Sequence, residues 1–332
     1  MKKYLNQFTF KNFWSLSVKN KIKFVLSFTG LKKIIYNIIY FCLYPIFNNK
    51  SFFIRGLLFD LQKNYSKYIG LKNKNGERFI IFSNDNIISK DIFLRDEFDL
   101  IKLEKTLDFL NKKKKIENFF DIGANIGTIC IPATKRQLVK SCKAVEPENR
   151  NFELLKTNIT LNNLENKITS YNYALSNKND QIVKMELAKN NSGDHRVKEE
   201  VKFNLRGEEN RKLIDIKTKT FDSLFPNVNK ENDLVWIDTQ GHEAKILEGS
   251  KNVIKNKIPI VIEFWPYGLK RSGDWEKIFK IIKNFNYYVD LSNSELQAHS
   301  INEKSLDDLK NGWDNEKKNK HSLFTDLILL QE

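Results

Sequence analysis

Cysteine is scarce in this 332-residue chain, which has only Cys42, Cys130 and Cys142. The number is odd and no two of them form a C-x-x-C pair. That excludes a disulfide framework and a thiolate zinc site, and leads to the expectation of a reducing, cytoplasmic setting. Acidic residues are absent from residues 1–50, where nine lysines supply +9 of the formal net charge of +15. Such an arm calls for an anionic partner, either a membrane surface or a polyanion. A long apolar run is lacking too. The most apolar stretch, Ile34 to Phe47, has 14 residues and is too short to span a bilayer as a helix. It starts late, contains Asn37 and Pro45, and has no small-residue cleavage site, so it is not read as a secretory signal. Two expectations remain for it: a helix packed on the rest of the protein, or one lying in a membrane interface between Lys32, Lys33 and Lys50. No closely spaced acidic cluster calls for a metal, and none is expected.

Hydrophobic residues make up 41% of the chain, enough for a sizeable core and too many for wholesale disorder. Residues 1–75 carry no chemical motif and are read as a basic, aromatic N-terminal extension. Residues 76–332 are read as one domain with its core at 116–291. In that core, short apolar strands alternate with longer helical segments, the pattern of a mostly parallel sheet with helices on both faces. Expected strands are Phe119–Ile122, Cys142–Val145, Ile168–Leu175, Leu234–Asp238 and Pro259–Phe264, with Tyr287–Leu291 and Asp326–Leu330 closing the sheet. Ser89–Leu110, Thr128–Leu138, Arg150–Leu161, Glu243–Ile254 and Asp274–Phe285 read as helices. Residues 176–232 break the alternation and read as an antiparallel insertion. Arg78–Phe82 is a further strand, and Lys112–Lys115 a solvated loop.

Ligands of a parallel sheet bind beyond the carboxyl ends of its strands. The first such end carries Asp121-Ile122-Gly123-Ala124-Asn125-Ile126-Gly127. Gly123 suits a tight turn, Gly127 suits a close approach of the following helix to a ligand, and the helix start offers amides to an anion. The spacing G-x-x-x-G departs from the G-x-G-x-x-G of dinucleotide sites, which argues against an NAD oxidoreductase. Asp121 suits an amino group, and Glu146, at the end of the second strand, suits two ribose hydroxyls. A cationic nucleoside bearing an amino acid fits this pair of acids. Valine at position 123 is then expected to remove the ligand while leaving the fold largely intact.

From Asn118 to Glu263 the chain resembles the FkbM-type methyltransferases, which use S-adenosylmethionine (SAM). The blocks that carry the resemblance are FFDIGANIG, AVEPENRNFELLKTNITLN, YNYALS, TFDSL, LVWIDTQGHEAKILEGS and PIVIEFW. The resemblance implies a Rossmann-like class I methyltransferase fold. It further implies O-methylation of a glycan, a lipid-linked sugar or another small acceptor. On matching positions, Asp121, Gly123, Ala124, Asn125 and Gly127 would hold the methionine part and Glu146 the ribose. Ala174 and Leu175 would border the adenine, and Asp238 would stand beside the methyl group.

An alcohol acceptor must also lose a proton, and histidine is the usual sink. Of the four histidines, His242 follows the fourth strand in D-T-Q-G-H-E, with Glu243 equally placed to meet the substrate. His195 lies in the polar stretch Asn191–Arg196, which suits a substrate loop over the pocket, with Arg196 holding an anionic group of the acceptor. Glu263, ending the fifth strand, is a third candidate base. His299 and His321 lie in polar C-terminal segments and read as solvated. Two other functions compete. The positive charge suggests a nucleic-acid methyltransferase, but the fourth strand lacks the D/N-P-P-Y/F of base amino-group enzymes. A non-catalytic SAM-binding scaffold would have no need of acids at 121, 146 and 238 together.

Overall fold

The computed structural model describes residues 52–199, 210–313 and 323–331. The basic arm, the stretch Ile34–Phe47, Cys42 and His321 lie outside them. The chain divides into two compact units, Met1–Asp60 and Leu61–Glu332, and the second carries everything that follows. It opens with a hairpin of β1 (Tyr68–Lys72) and β2 (Arg78–Phe82), paired from Tyr68↔Phe82 to Lys72↔Arg78. The boundary read at 75/76 falls in the turn of this hairpin, where Gly76 takes a left-handed φ of 89°.

The remaining strands are β3 (Asn118–Ile122), β4 (Ser141–Val145), β5 (Ile168–Tyr171), β6 (Ala174–Leu175), β7 (Ile182–Leu187), β8 (Arg196–Val197) and β9 (Lys212–Lys219). After them come β10 (Asp233–Ile237), β11 (Ile260–Phe264), β12 (Tyr287–Asp290), β13 (His299–Ser300) and β14 (Thr325–Leu330). The main sheet runs β13-β12-β14-β11-β10-β3-β4-β5. Five strands, β5 to β11 in that order, are mutually parallel, and β14 runs antiparallel to both β11 and β12. This is the doubly wound order with one antiparallel strand slipped in near the edge, the class I methyltransferase architecture. Its strand order reverses between β3 and β10, and that switch point is where a ligand crevice opens.

Strands β10 and β11 are buried along their full length, as expected for central parallel strands covered on both faces. Around Phe120 the core is aromatic: the rings of Phe221 and Phe225 lie 5.4 and 5.1 Å away. Helix Trp275–Ile282 buries Trp275, Ile278, Phe279 and Ile282, one stripe at helical spacing. Helix Asn149–Leu161 starts on Glu148, whose side chain accepts the Asn151 amide and favours the helix N-terminus. Two asparagines of this helix reach the open edge of β2. Asn162 pairs both the N–H and the carbonyl of Arg78 at 2.9 and 2.7 Å, and Asn158 does the same for Ile80 at 2.7 and 3.2 Å. Asn158 also donates to the carbonyl of Ile126 at 2.9 Å.

Several elements differ from the sequence reading. The helix expected over Ser89–Leu110 is two, Ile88–Arg95 and Leu100–Leu110, because Asp96 and Asp99 turn left-handed at φ 71° and 53°. Glu243–Ile254 likewise divides into Glu243–Glu248 and Lys251–Lys255. At the break, a Cβ on Gly249 would stand 2.2 Å from the carbonyl oxygen of Ser176. Only Cys130–Lys135 of the expected Thr128–Leu138 is helical, and Pro132 sits in its first turn, where its missing N–H has no intrahelical partner to lose. The third strand ends at Tyr171. Asn172 then donates to the carbonyls of Glu146 and Pro147, and β6 leaves the main sheet to pair with β9. The insertion is an antiparallel patch as read, with β7 between β9 and β8. Strands β1 and β13 and helix Pro266–Ser272 were not read from the sequence. No helix among the described residues is long and apolar enough to cross a membrane.

Candidate active site

A cleft partly open to solvent lies over the carboxyl ends of β3, β4 and β10. Asp121, Gly123, Asn125, Glu146, Ala174, Leu175, His195, Asp238 and His242 all line it. The sequence reading brought these residues together from five segments. Ala124, Gly127, Arg196, Glu243 and Glu263 are not on its walls.

The glycine loop does a different job from the one expected. Gly123 has φ +93°, and a Cβ there would stand 1.9 Å from the backbone oxygen of Asp238. Its bare Cα lets the ends of β3 and β10 approach each other. Gly127, at φ +92°, would meet Ile131 and Leu155 rather than a ligand. The amides of Gly123 and Ala124 both bond the Val145 carbonyl, and that of Gly127 bonds Ala124. Asn125 gives its amide to Glu146, and Ile126 gives its own to the Asn125 side chain. Five successive amides are thus spent inside the protein, so the loop cradles no phosphate and a dinucleotide has no seat here. Valine at position 123 is therefore expected to cost on the order of 3–5 kcal/mol of stability, a correction to the intact fold expected from sequence. Calorimetric unfolding tests this, and a wild-type midpoint would show that the two strand ends can part.

The acids carry the site. Asp121 is 2% exposed, and its Oδ2 has no hydrogen-bond partner in the protein. Burial pushes its carboxyl up to about 7; hydrogen bonding from Cys130 opposes this and the Asp238 charge adds to it. Glu146 accepts the amides of Asn125 at 3.0 Å and Glu148 at 2.8 Å. Burial still pushes it up to about 8. An ammonium would meet the unpartnered Oδ2 of Asp121, and ribose hydroxyls would add to the two amides on Glu146. Beside them Tyr173, Ala174, Leu175, Met185 and Val197 form a mostly apolar wall suited to a purine. The residues present fit an amino-acid-bearing adenosyl ligand.

Beyond β10 a second group of acids is packed together. Gln240 donates to Oδ1 of Asp238 and to both oxygens of Glu263, each at 3.0 Å. Burial, with the charges of Asp238, Glu243 and Asp326, holds the Glu263 carboxyl well above its usual range. Glu263 stands behind Gln240 and off the cleft wall, so the structure does not place it where the sequence reading put a general base. Burial works against a charge on Lys102, but Asp326 at 2.8 Å and Asp99 at 3.1 Å hold its ammonium above its usual range. Glu243 is fully buried and accepts the amides of Thr239 and Gly241 through Oε1, so it shapes the turn rather than touching a substrate.

The two histidines of the cleft have opposite settings. His242 places Nδ1 at 2.9 Å from Oε1 of Glu199 and Nε2 at 3.1 Å from the hydroxyl of Ser176. Glu199 is bonded in addition by Lys245. His195 takes the Ala188 amide on Nδ1 at 3.1 Å, and burial depresses its ring to about 4. Arg196 is 2% exposed, lies 3.3 Å from Asp194 and 4.0 Å from Glu186, and stacks on Trp265 at 5.4 Å. It is a buried structural cation and not an anchor for an acceptor, which corrects the sequence reading. His299 stacks on Tyr288 at the sheet edge. Among the described residues no group of three or more His, Cys, Asp or Glu could hold a metal. Sequence reasoning missed Ser176, Glu199 and Gln240. The first and third stand inside the blocks YNYALS and DTQGHE, but only folding shows what they face.

The family model described as Methyltransferase FkbM domain matches residues 121–289. No curated protein matches the chain. Among solved structures, a methyltransferase FkbM from Methylobacillus flagellatus KT is 14% identical with a TM-score of 0.40, over 72% of this chain and 52% of that one. The chain thus spans about half the length of that protein. The M. jannaschii TYW2 solved in complex with AdoMet is 14% identical with a TM-score of 0.39, over 80% of this chain and 88% of that one. For the P. horikoshii TYW2 in complex with MeSAdo the values are 13%, 0.38, 80% and 72%. These likenesses are distant, and membership rests on the family model, whose match takes in just over half of the chain. The chain belongs to the FkbM family of SAM-dependent methyltransferases.

Proposed function

We propose that this enzyme methylates a hydroxyl oxygen of a glycan, a lipid-linked sugar or another small acceptor, with His242 taking the proton. The observation that carries the reading is the placement of His242 between Glu199 and the Ser176 hydroxyl on the cleft wall. With Glu199 2.9 Å from Nδ1, the tautomer this reading requires carries its hydrogen on Nδ1 and leaves the Nε2 lone pair facing the Ser176 hydroxyl. The cofactor, when bound, supplies a methyl group made electrophilic by a sulfonium. The acceptor oxygen would take that methyl carbon as its bond to sulfur breaks and leaves a neutral thioether, and the O–H proton would pass to Nε2 of His242, with Glu199 beside the imidazolium that results. Asp238 would face the acceptor from the end of β10, and Gln240, bonded to both Asp238 and Glu263, holds that wall in place. A lipid-linked acceptor accords with nine lysines and no acid in residues 1–50, which suit the anionic inner face of a membrane.

The test is transfer of a deuterated methyl group from labelled SAM to glycans and lipid-linked sugars of the host, with the methylated atom located by NMR. A methyl group on oxygen is the expected result. Label recovered on nitrogen or carbon, or in RNA alone, would overturn the reading.

A further inference from the structure

We infer that His195 is a hydrogen-bond donor to the adenosine half of the cofactor, which makes residues 191–195 of the insertion part of the cofactor site. The Ala188 amide points at Nδ1 of His195, so the ring hydrogen sits on Nε2. The ring's one in-plane lone pair is already taken by a backbone donor, and the side chain can give a hydrogen bond but has no site left for a proton. It is buried on the wall that Glu146, Pro147 and Tyr173 also line.

The surroundings fix which end of the ligand it meets. His195 also lines a hollow with Phe82, Asp85, Arg150 and Asn151, at the start of the helix that follows Glu146. It therefore stands on the Glu146 side of the cleft, where the ribose is read to bind. The loop itself is tied to the same elements. The carbonyl of Ser192 accepts from the side chains of Asn125 at 2.9 Å and Asn151 at 3.2 Å, and the Ser192 hydroxyl donates to Asp85 at 2.5 Å. Asn125 gives Glu146 its amide and Asn151 gives Glu148 its own, so one set of residues holds the Glu146 segment and the loop together. The wall around His195 is otherwise apolar, with Val197, Met185, Ala174 and Leu175 nearby. A single donor aimed at the ring nitrogens or ribose oxygens of adenosine gives such a wall its orientation.

The inference rests on the cofactor and is independent of the acceptor, so it can fail while O-methylation stands, and the reverse. Two variants separate the donor from the anchor. H195N keeps an oxygen for the Ala188 amide but withdraws the donor; H195Q carries an amide N–H to the reach of Nε2. Calorimetric titration with S-adenosylhomocysteine and with adenosine is the readout. H195N is expected to weaken both ligands by the same factor, about tenfold, and H195Q to stay near wild type. Wild-type affinities for H195N, or a loss seen with S-adenosylhomocysteine but not with adenosine, would overturn it.

Discussion

Alanine at position 242 is expected to lower kcat by about 10²–10⁴ while leaving the affinity for S-adenosylhomocysteine unchanged. The size follows from the step removed. A hydroxyl is a poor nucleophile until its proton has somewhere to go, and His242 on the cleft wall sets Nε2 against a hydroxyl, that of Ser176, whose place the acceptor's hydroxyl would take. His195 is less suited, since a backbone amide, which cannot move aside as a serine hydroxyl can, occupies its lone pair, and Glu263 lies off the cleft wall. Glu199→Gln should show an intermediate loss, since a neutral partner at Nδ1 still orients the ring but no longer stabilises its charge. Single-turnover rates with the methylated product quantified would separate chemistry from binding. A His242→Ala enzyme with wild-type kcat would remove this residue from the reaction, whatever its effect on stability.

The second large effect is expected from Glu146→Gln, and it depends on pH. In the ligand-free protein, burial raises the Glu146 carboxyl to about 8 from an ordinary value of 4.5, and Asp121 to about 7 from 3.8. Both groups ionise more easily in the unfolded chain than in the folded one. Stability of the free protein is therefore fully present below their ordinary values and is lost as pH rises, up to about 7 for one and 8 for the other. Ligand binding reverses the balance, because ribose hydroxyls and an ammonium favour the charged carboxylates. Affinity for S-adenosylhomocysteine should accordingly climb between about pH 6 and 8.5, by up to about tenfold per pH unit for each group, with protons released. Glu146→Gln should bind on the order of 100-fold more weakly at the upper end, and the gap should narrow toward pH 6. Calorimetry in two buffers of different ionisation enthalpy measures affinity and proton release together. A variant that tracks the wild-type curve would remove Glu146 from the cofactor site.

Much of this architecture was legible because its signals are local. Strands β10 and β11 carry the apolar runs Leu234–Ile237 and Ile260–Ile262, and Asp121, Glu146 and Asp238 stand at strand ends, where position alone implies the crevice. The errors have a common origin. Helix periodicity does not register an aspartate that turns left-handed, so one helix was read where Asp96 and Asp99 separate two. The pattern also ranks polar residues by proximity in sequence. Arg196 and Glu243 stand next to cleft residues, yet one is turned into a buried ion-pair cluster and the other under a turn. Glu199 lies 43 residues before His242 and shows no motif, and only the folding of the insertion beside β10 brings the two within 2.9 Å. Gly123 makes the tight turn read from the sequence, with no room for a Cβ, but Gly127 yields space to Ile131 and Leu155 and not to a ligand. Their bare Cα atoms meet protein backbone and core side chains, which no spacing rule distinguishes from a ligand.

The asparagines on helix Asn149–Leu161 look, in composition, like part of a general lean toward that residue. In the folded protein Asn158 and Asn162 act as a surrogate strand, giving the outer edge of β2 both a donor and an acceptor at alternate residues. An edge satisfied in this way offers no template to a strand from another molecule, so the hairpin is protected against sheet-to-sheet aggregation without charge or proline. Asn158 adds a second link, since the same side-chain amide holds the carbonyls of Ile80 and Ile126. Fraying of the hairpin and loosening of the Asp121–Gly127 loop are then one motion, and a ligand that steadies the loop slows amide exchange along β2 without touching it.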